Sequence, residues 1–234
     1  MDIFLTNGPA GNGAHLLGSD PATASIPPAL RGTFDVVRIA GLGGVLRENE
    51  WRTLLANLYT ALKPGGYVVA VEGDPVAYTE RRPPPLAGVA HDLTAAMSGP
   101  SALAQINCVL TGAALQQQLV VDLSYRLGQL LQTAGFHVKG CSRALGPTGG
   151  LCSRYTGLRG TPLHDLRATA TTIVCEAIEA LSRTLLSRGR LQAPLSTSIG
   201  TEEGRASLAR GAQAQVQEGV LLLFAEWVAQ RPIS

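Results

Sequence analysis

The sequence is short of charge, of lysine and of aromatic residues, and each shortage removes a class of function. Charged residues fill only 15% of the 234 positions and the formal net charge is +2, so a polyanionic partner is not expected. Only Lys63 and Lys139 are lysines, and the other 17 of the 19 basic residues are arginines scattered without a run. The basic stripe of a nucleic-acid binder is therefore missing. No stretch reaches the roughly 18 uncharged apolar residues of a membrane-spanning helix; the best candidate, 216–228, carries Glu218 and Glu226. The first residues show no basic segment followed by an apolar run, so a cytoplasmic location is expected. The four cysteines, Cys108, Cys141, Cys152 and Cys175, have irregular spacings and no C-x-x-C pair. Neither a zinc site nor a disulfide framework follows, and the thiols are expected reduced and mostly buried.

Apolar residues at 45%, with 27 glycines and 14 prolines, indicate a globular chain with a core of its own, expected as a single domain over 1–234. The run Thr33 to Ala40 is β-branched and follows the breakers Pro27, Pro28 and Gly32, which predicts a buried strand. From Asn49, an expected N-cap, Trp51, Leu54, Leu55, Leu58 and Leu62 recur at helical spacing. Lys63-Pro64-Gly65-Gly66 should end that helix in a turn, and Tyr67 to Val71 should follow as a strand. Strand, helix and strand form one crossover, so the expected fold is α/β with a parallel, doubly wound sheet. Ala14 to Asp20 reads as a short strand ending on an acidic residue. A Pro-rich connection from Glu72 to Pro85 leads to helical patterns over Ala102–Ala114 and Leu119–Ala134. A strand is expected at Phe136–Lys139, a Gly-rich loop over 146–160, and helices over Leu163–Leu186 and Glu202–Val228, the last with Thr201 as N-cap.

Phe34-Asp35-Val36-Val37, Leu62-Lys63-Pro64-Gly65-Gly66-Tyr67, Glu72 and Ala134-Gly135-Phe136 together resemble the second half of a class I S-adenosylmethionine-dependent methyltransferase, nearest to the fungal secondary-metabolism branch. The resemblance implies a Rossmann-like sheet with a helical lid over 75–122 and a C-terminal helical part over 161–234. It also implies a first strand and a D-x-G-x-G-x-G cofactor loop some two dozen residues before the acidic strand end, and the chain begins inside that interval. Asn7 to Gly13 is Gly-rich, but it lacks the strand before and the helix after that give such a loop meaning, so it reads as a surface loop. The sheet's first strand is thus expected to be missing or rearranged. An exposed sheet edge would then need covering, and a homodimer is expected through it.

The acidic residue that the family places against the ribose corresponds to Asp20, cofactor-binding only if S-adenosylmethionine binds; Asp20 before Pro21 is also an ordinary turn starter. Glu72 and Asp74 follow the second strand of the crossover, at the edge where open α/β sheets bind ligands. Arg38 lies in a strand expected to be buried, where a guanidinium must be paired with Glu72 or Asp74 or face a cavity. Tyr78, Arg81, Arg82, His91 and Asp92 lie in the expected lid. His91 could serve as a proton relay with Asp92, although adjacent helical residues do not face each other. Cys108 sits at core spacing with Leu115 and Leu119, with a pocket role as the other reading.

Three functions follow from these residues. One is an enzyme on a methyltransferase-like scaffold, without cofactor, that cyclises or isomerises an apolar polyketide or alkaloid intermediate by pericyclic chemistry, with Arg38, Tyr78 and His91 as donors and Glu72, Asp74, Arg81 and Cys108 around the substrate. The others are an S-adenosylmethionine-dependent N- or O-methyltransferase of a natural product, and a non-catalytic partner of one. The first is favoured, because a lid and a full C-terminal part are kept where the cofactor loop is not.

Overall fold

A computed structural model describes residues 2–6, 14–15, 26–87, 89, 91–154 and 201–233, with scattered helical positions between 172 and 183. The chain divides into two compact units: residues 1–74, 118–144 and 224–234 form the first, and residues 75–117 and 145–223 the second.

The first unit contains the predicted crossover. Strand β3 (Phe34–Ala40) leads to helix α1 (Glu48–Ala61), and β4 (Leu62–Tyr78) returns parallel to β3, with Val37 beside Val68 and Ala40 beside Val71. Helix α1 buries Trp51, Leu54, Leu55, Leu58 and Ala61, the stripe that its 3.6-residue period places on one face. Against them lie Val37 and Ile39 of β3 and Leu123, Leu127 and Leu131 of α4 (Leu123–Thr133), all in one apolar cluster. Here α1 starts earlier than the expected Asn49 cap. Arg47 is its N-cap, and the Arg47 backbone N–H donates to Glu50 Oε2 at 2.7 Å.

The expected turn at Lys63–Gly66 is instead a bulge inside a longer strand. Pairing jumps from Phe34 with Leu62 to Val36 with Tyr67, so the extra residues loop out where Pro64 has no N–H to offer the ladder. Gly65 takes φ +82°, and a side chain on Gly66 would sit 3.0 Å from the Asp35 and Lys63 carbonyls. Lys63 Nζ reaches both Asp35 oxygens at 2.9 Å across this bulge. Beyond Val71 the strand continues through Glu72 and Asp74 to Tyr78, a stretch the sequence presents as a connection.

The sheet has six strands in the order β2 (Ala14–His15), β1 (Asp2–Thr6), β3, β4, β6 (Leu221–Gln230), β5 (His137–Pro147). Strand β1 (Asp2–Thr6) runs antiparallel to β3, from Asp2 beside Ala40 to Thr6 beside Val36, and β2 (Ala14–His15) pairs with β1. A strand thus does precede Asn7–Gly13, contrary to expectation, in a reversed direction; of the short strand expected over 14–20 only Ala14–His15 is described. Strand β5 (His137–Pro147) extends the expected Phe136–Lys139 strand, and a 3₁₀ turn over Gly149–Ser153 occupies part of the expected loop.

The second unit packs α3 (Ala102–Gln116) with α5 (Glu202–Glu218) around Leu103, Ile106, Val109, Leu208, Ala212 and Val216. Thr201 caps α5 as expected, accepting from the Gly204 N–H at 3.1 Å. The helix ends at Glu218, however, and 221–230 is strand β6. Gly219, at φ +135°, marks the break; Leu151 Cγ lies 2.4 Å from where its Cβ would be. Leu221, Leu223 and Ala225 then alternate inward with the two-residue strand period. The short helix α2 (Leu93–Met97) is capped by Asp92, whose Oδ1 accepts from the Ala95 N–H at 3.0 Å. Asp92 thus opens a helix, the simpler of its two readings. Asp20, Asn7–Gly13 and most of the expected 163–186 helix lie outside the described residues.

Candidate functional site

Within the second unit, a pocket of about 540 Å³ opens between the end of β4, the Pro-rich segment and helices α2 and α3. Its apolar walls come from Ala77, Pro83, Pro85, Ala95, Ala96 and Leu103, and its polar groups from Tyr78, Arg82, His91, Asp92, Ser98 and Asn107. The Tyr78 hydroxyl lies 2.8 Å from His91 Nε2, and the two rings sit 6.1 Å apart and tilted by 31°. Tyr78 is 5% exposed, so this contact is shielded from water on the Tyr side. With Nε2 protonated, the imidazole donates and the phenolic proton turns to another acceptor; with Nε2 bare, the phenol donates to it. The pair is thus a two-position donor set at the pocket wall.

Asn107 is the residue that sequence reasoning missed. Its Oδ1 accepts from the Ala77 N–H at 2.7 Å, and its Nδ2 donates to the Ala77 carbonyl at 2.9 Å and the Ala96 carbonyl at 3.1 Å. The carboxamide thereby acts as a strand neighbour for Ala77, one residue before Tyr78, and ties α2 to α3. An asparagine on the apolar stripe of Leu103, Ile106 and Val109 was the available clue, because a buried amide must find partners.

Glu72 is 1% exposed. Its Oε2 accepts from the Leu42 and Gly43 N–H groups, each at 2.7 Å, while Oε1 is buried with no hydrogen-bond partner among the described residues. Burial raises its pKa to about 7 against the lowering effect of those two N–H groups. Asp74 accepts from the Ser124 N–H at 3.0 Å and from the Ser124 hydroxyl, holding the first turn of α4. Its pKa is pushed up to about 6, first by burial, with the Ser124 bonds pulling down. Both carboxylates therefore bind backbone groups of the first unit.

The remaining predicted residues are placed elsewhere. Arg38 is exposed on β3, because the inward positions of that strand are Val37 and Ile39 and the side chain between them points the other way; it pairs with neither Glu72 nor Asp74. Arg81 lines a second, more polar pocket of about 330 Å³ with Glu80, Arg154 and Glu218, whereas its neighbour Arg82 lines the first. Cys108 does not line either pocket: its thiol faces the Met97 carbonyl at 3.1 Å and burial raises its pKa, so it is a packed core thiol. Among the described residues no group of three or more His, Cys, Asp or Glu could hold a metal ion, and no helix is long and apolar enough to cross a membrane.

The cofactor implied by the resemblance can be tested against the sheet. In open α/β sheets ligand loops leave the C-terminal ends of parallel strands. Strand β1 runs the other way, so its last residue, Thr6, lies opposite Val36 near the start of β3. At the opposite end, the turn after β3 closes on β4: a Cβ on Gly43 would lie 2.1 Å from the Gly73 carbonyl oxygen. Asn7–Gly13 and Asp20, the positions to which the resemblance points for the cofactor, lie outside the described residues.

No protein-family model and no curated protein matches the chain. Its neighbours among solved structures are proteins of class I methyltransferase fold. The [4+2]-cyclase SpnF is 14% identical over 92% of this chain and 56% of its own, with a TM-score of 0.41. A methyltransferase described as putative from Bacillus halodurans C-125 is 15% identical over 92% of this chain and 76% of its own, at 0.42. Haemonchus contortus phosphoethanolamine N-methyltransferase 2, in complex with S-adenosyl-L-methionine, is 15% identical over 86% of this chain, at 0.35. The chain spans 56% of the cyclase and 34% of that N-methyltransferase, and nothing about the reaction follows from likeness at this level.

Proposed function

We propose that this protein binds an apolar, unsaturated small molecule in the Tyr78–His91 pocket and catalyses its cyclisation, of the [4+2] type, without S-adenosylmethionine. The observation that carries the reading is the hydrogen-bonded Tyr78–His91 pair set in the wall of a largely apolar pocket of about 540 Å³. An intramolecular cycloaddition forms two carbon–carbon σ bonds from two π bonds, with no atom gained or lost and no oxidant or reductant. The protein then has two tasks. Ala77, Ala96 and Leu103 hold the diene and dienophile folded on each other, replacing conformational search by a bound geometry. Tyr78, with its proton directed by His91, donates to a carbonyl conjugated with the dienophile, where negative charge grows in the transition state. Nothing in this scheme calls on the cofactor loop, in keeping with the reversed β1.

A calorimetric titration tests the reading. An enone tethered to a diene, the trienone 1,7,9-decatrien-3-one, should bind saturably, and Leu103→Asp should abolish that binding. S-adenosylmethionine should give no saturable heat at millimolar concentration. Tight binding of S-adenosylmethionine, or trienone binding indifferent to Leu103→Asp, would overturn it and restore the methyltransferase reading.

A further inference from the structure

Resting on the cyclase reading, we infer that Arg82 makes the Tyr78–His91 pocket selective for a substrate with an anionic oxygen head, a carboxylate or the enolate of a 1,3-dicarbonyl, at one end of its apolar chain. Arg82 lines that pocket, and its backbone is fixed there. The Arg82 N–H donates to the Thr79 carbonyl at 3.0 Å, the Thr79 N–H donates back to the Arg82 carbonyl at 3.2 Å, and Thr79 Oγ1 accepts from the Arg82 N–H at 3.2 Å. This closed turn sets the point from which the guanidinium leaves the chain.

Neither Glu80 nor Asp92, the carboxylates next to Arg82 in the turn and in the pocket lining, forms an ion pair with it. Glu80, inside the same turn, is paired with Arg154 at 2.9 Å. Asp92, the carboxylate of this pocket, caps α2 through Ala95. Like Arg38 and Arg81, Arg82 makes no ion pair with the described residues. A planar guanidinium matches two coplanar oxygens with two parallel hydrogen bonds, and carboxylates and 1,3-dicarbonyl enolates both present that pair. Arg82 is exposed, at the solvent side of a pocket whose walls include Ala77 and Leu103. The anionic head would thus stay at the mouth with the apolar chain inside.

The test compares probes of one chain length on the whole protein by titration calorimetry. Decanoate and ionised 2-decanoyl-1,3-cyclohexanedione stand for the two anion sources, and 1-decanol is the neutral control. At least one anion should bind about tenfold tighter than decanol, the worth of a charge-assisted hydrogen-bond pair over a neutral one. The advantage should vanish in Arg82→Gln, shrink in Arg82→Lys, and leave decanol affinity unchanged in both. Which anion gains more identifies the head group. Decanol binding without an anion advantage, or an advantage kept in Arg82→Gln, overturns the inference and leaves the apolar pocket standing. Failure of all three probes to bind overturns the pocket reading itself, and this inference with it.

Discussion

Asn107 brackets Ala77, its carboxamide accepting from the Ala77 N–H at 2.7 Å and donating to the Ala77 carbonyl at 2.9 Å. The bracket holds the end of β4 against α3 at the residue before Tyr78, so the Tyr78 phenol inherits its position from a helix residue 29 places further along. Replacing Asn107 by Leu keeps the volume but strands two buried backbone groups. That should destabilise the second unit by about 2–5 kcal/mol and weaken trienone binding even where the fold survives. Urea denaturation followed by circular dichroism measures the first, calorimetry the second.

Glu72 and Asp74 make the first unit sensitive to pH. Their folded pKa values, about 7 and about 6, lie above the ordinary 4.5 and 3.8. A carboxyl whose folded pKa is raised is held best as the neutral acid, so its contribution is fully present below the unfolded pKa and lost as pH rises through the folded one. Stability should therefore fall between about pH 4 and pH 7, by roughly 3 kcal/mol for Glu72 alone. Both tryptophans, Trp51 and Trp227, belong to the first unit, so their fluorescence in urea reports it. Glu72→Gln should flatten the fall and be the more stable protein at pH 8; a wild-type midpoint that rises from pH 4 to pH 7 would contradict the assignment.

Two glycines mark close approaches that no side chain can enter. A Cβ at Gly128 would lie 2.5 Å from Trp227 Cζ3, and one at Gly43 would lie 2.1 Å from the Gly73 carbonyl oxygen. A ring can shift a little, whereas paired backbone cannot. Gly128→Ala should lose about 1–3 kcal/mol and alter the Trp fluorescence, and Gly43→Ala should lose more. Equal stability of both variants with wild type would refute these contacts.

How much of this was legible in the sequence depends on the range of the forces involved. Helix α1 was legible because Trp51, Leu54, Leu55 and Leu58 repeat its own period, and its partner strands because β-branched residues cluster at 34–40 and 67–71. Strand β6 was not, because Val216, Val220 and Leu223 also satisfy a helical spacing. The break at Gly219 is imposed by Leu151, 68 residues earlier. Strand β1 was too short to register by itself and exists by pairing with β3. At the site, Tyr78 and His91 were legible as polar residues in a Pro-rich segment, yet His91 was set beside Asp92 and not opposite Tyr78. Arg81 and Arg82 line different pockets, a division that two adjacent arginines do not reveal in the sequence.

Cyclisation of 1,7,9-decatrien-3-one by the wild-type protein and by Tyr78→Phe, at saturating trienone and with no S-adenosylmethionine, decides whether the Tyr78 pocket is a cyclase site. Wild type should form the bicyclic ketone faster than buffer does, and removing the Tyr78 hydroxyl should lower the bound rate by about 10²-fold, as loss of one donor to a developing oxyanion does, with trienone affinity little changed. A wild-type rate equal to that in buffer, or a Tyr78→Phe rate equal to wild type, would show that the Tyr78 hydroxyl does not catalyse this cyclisation.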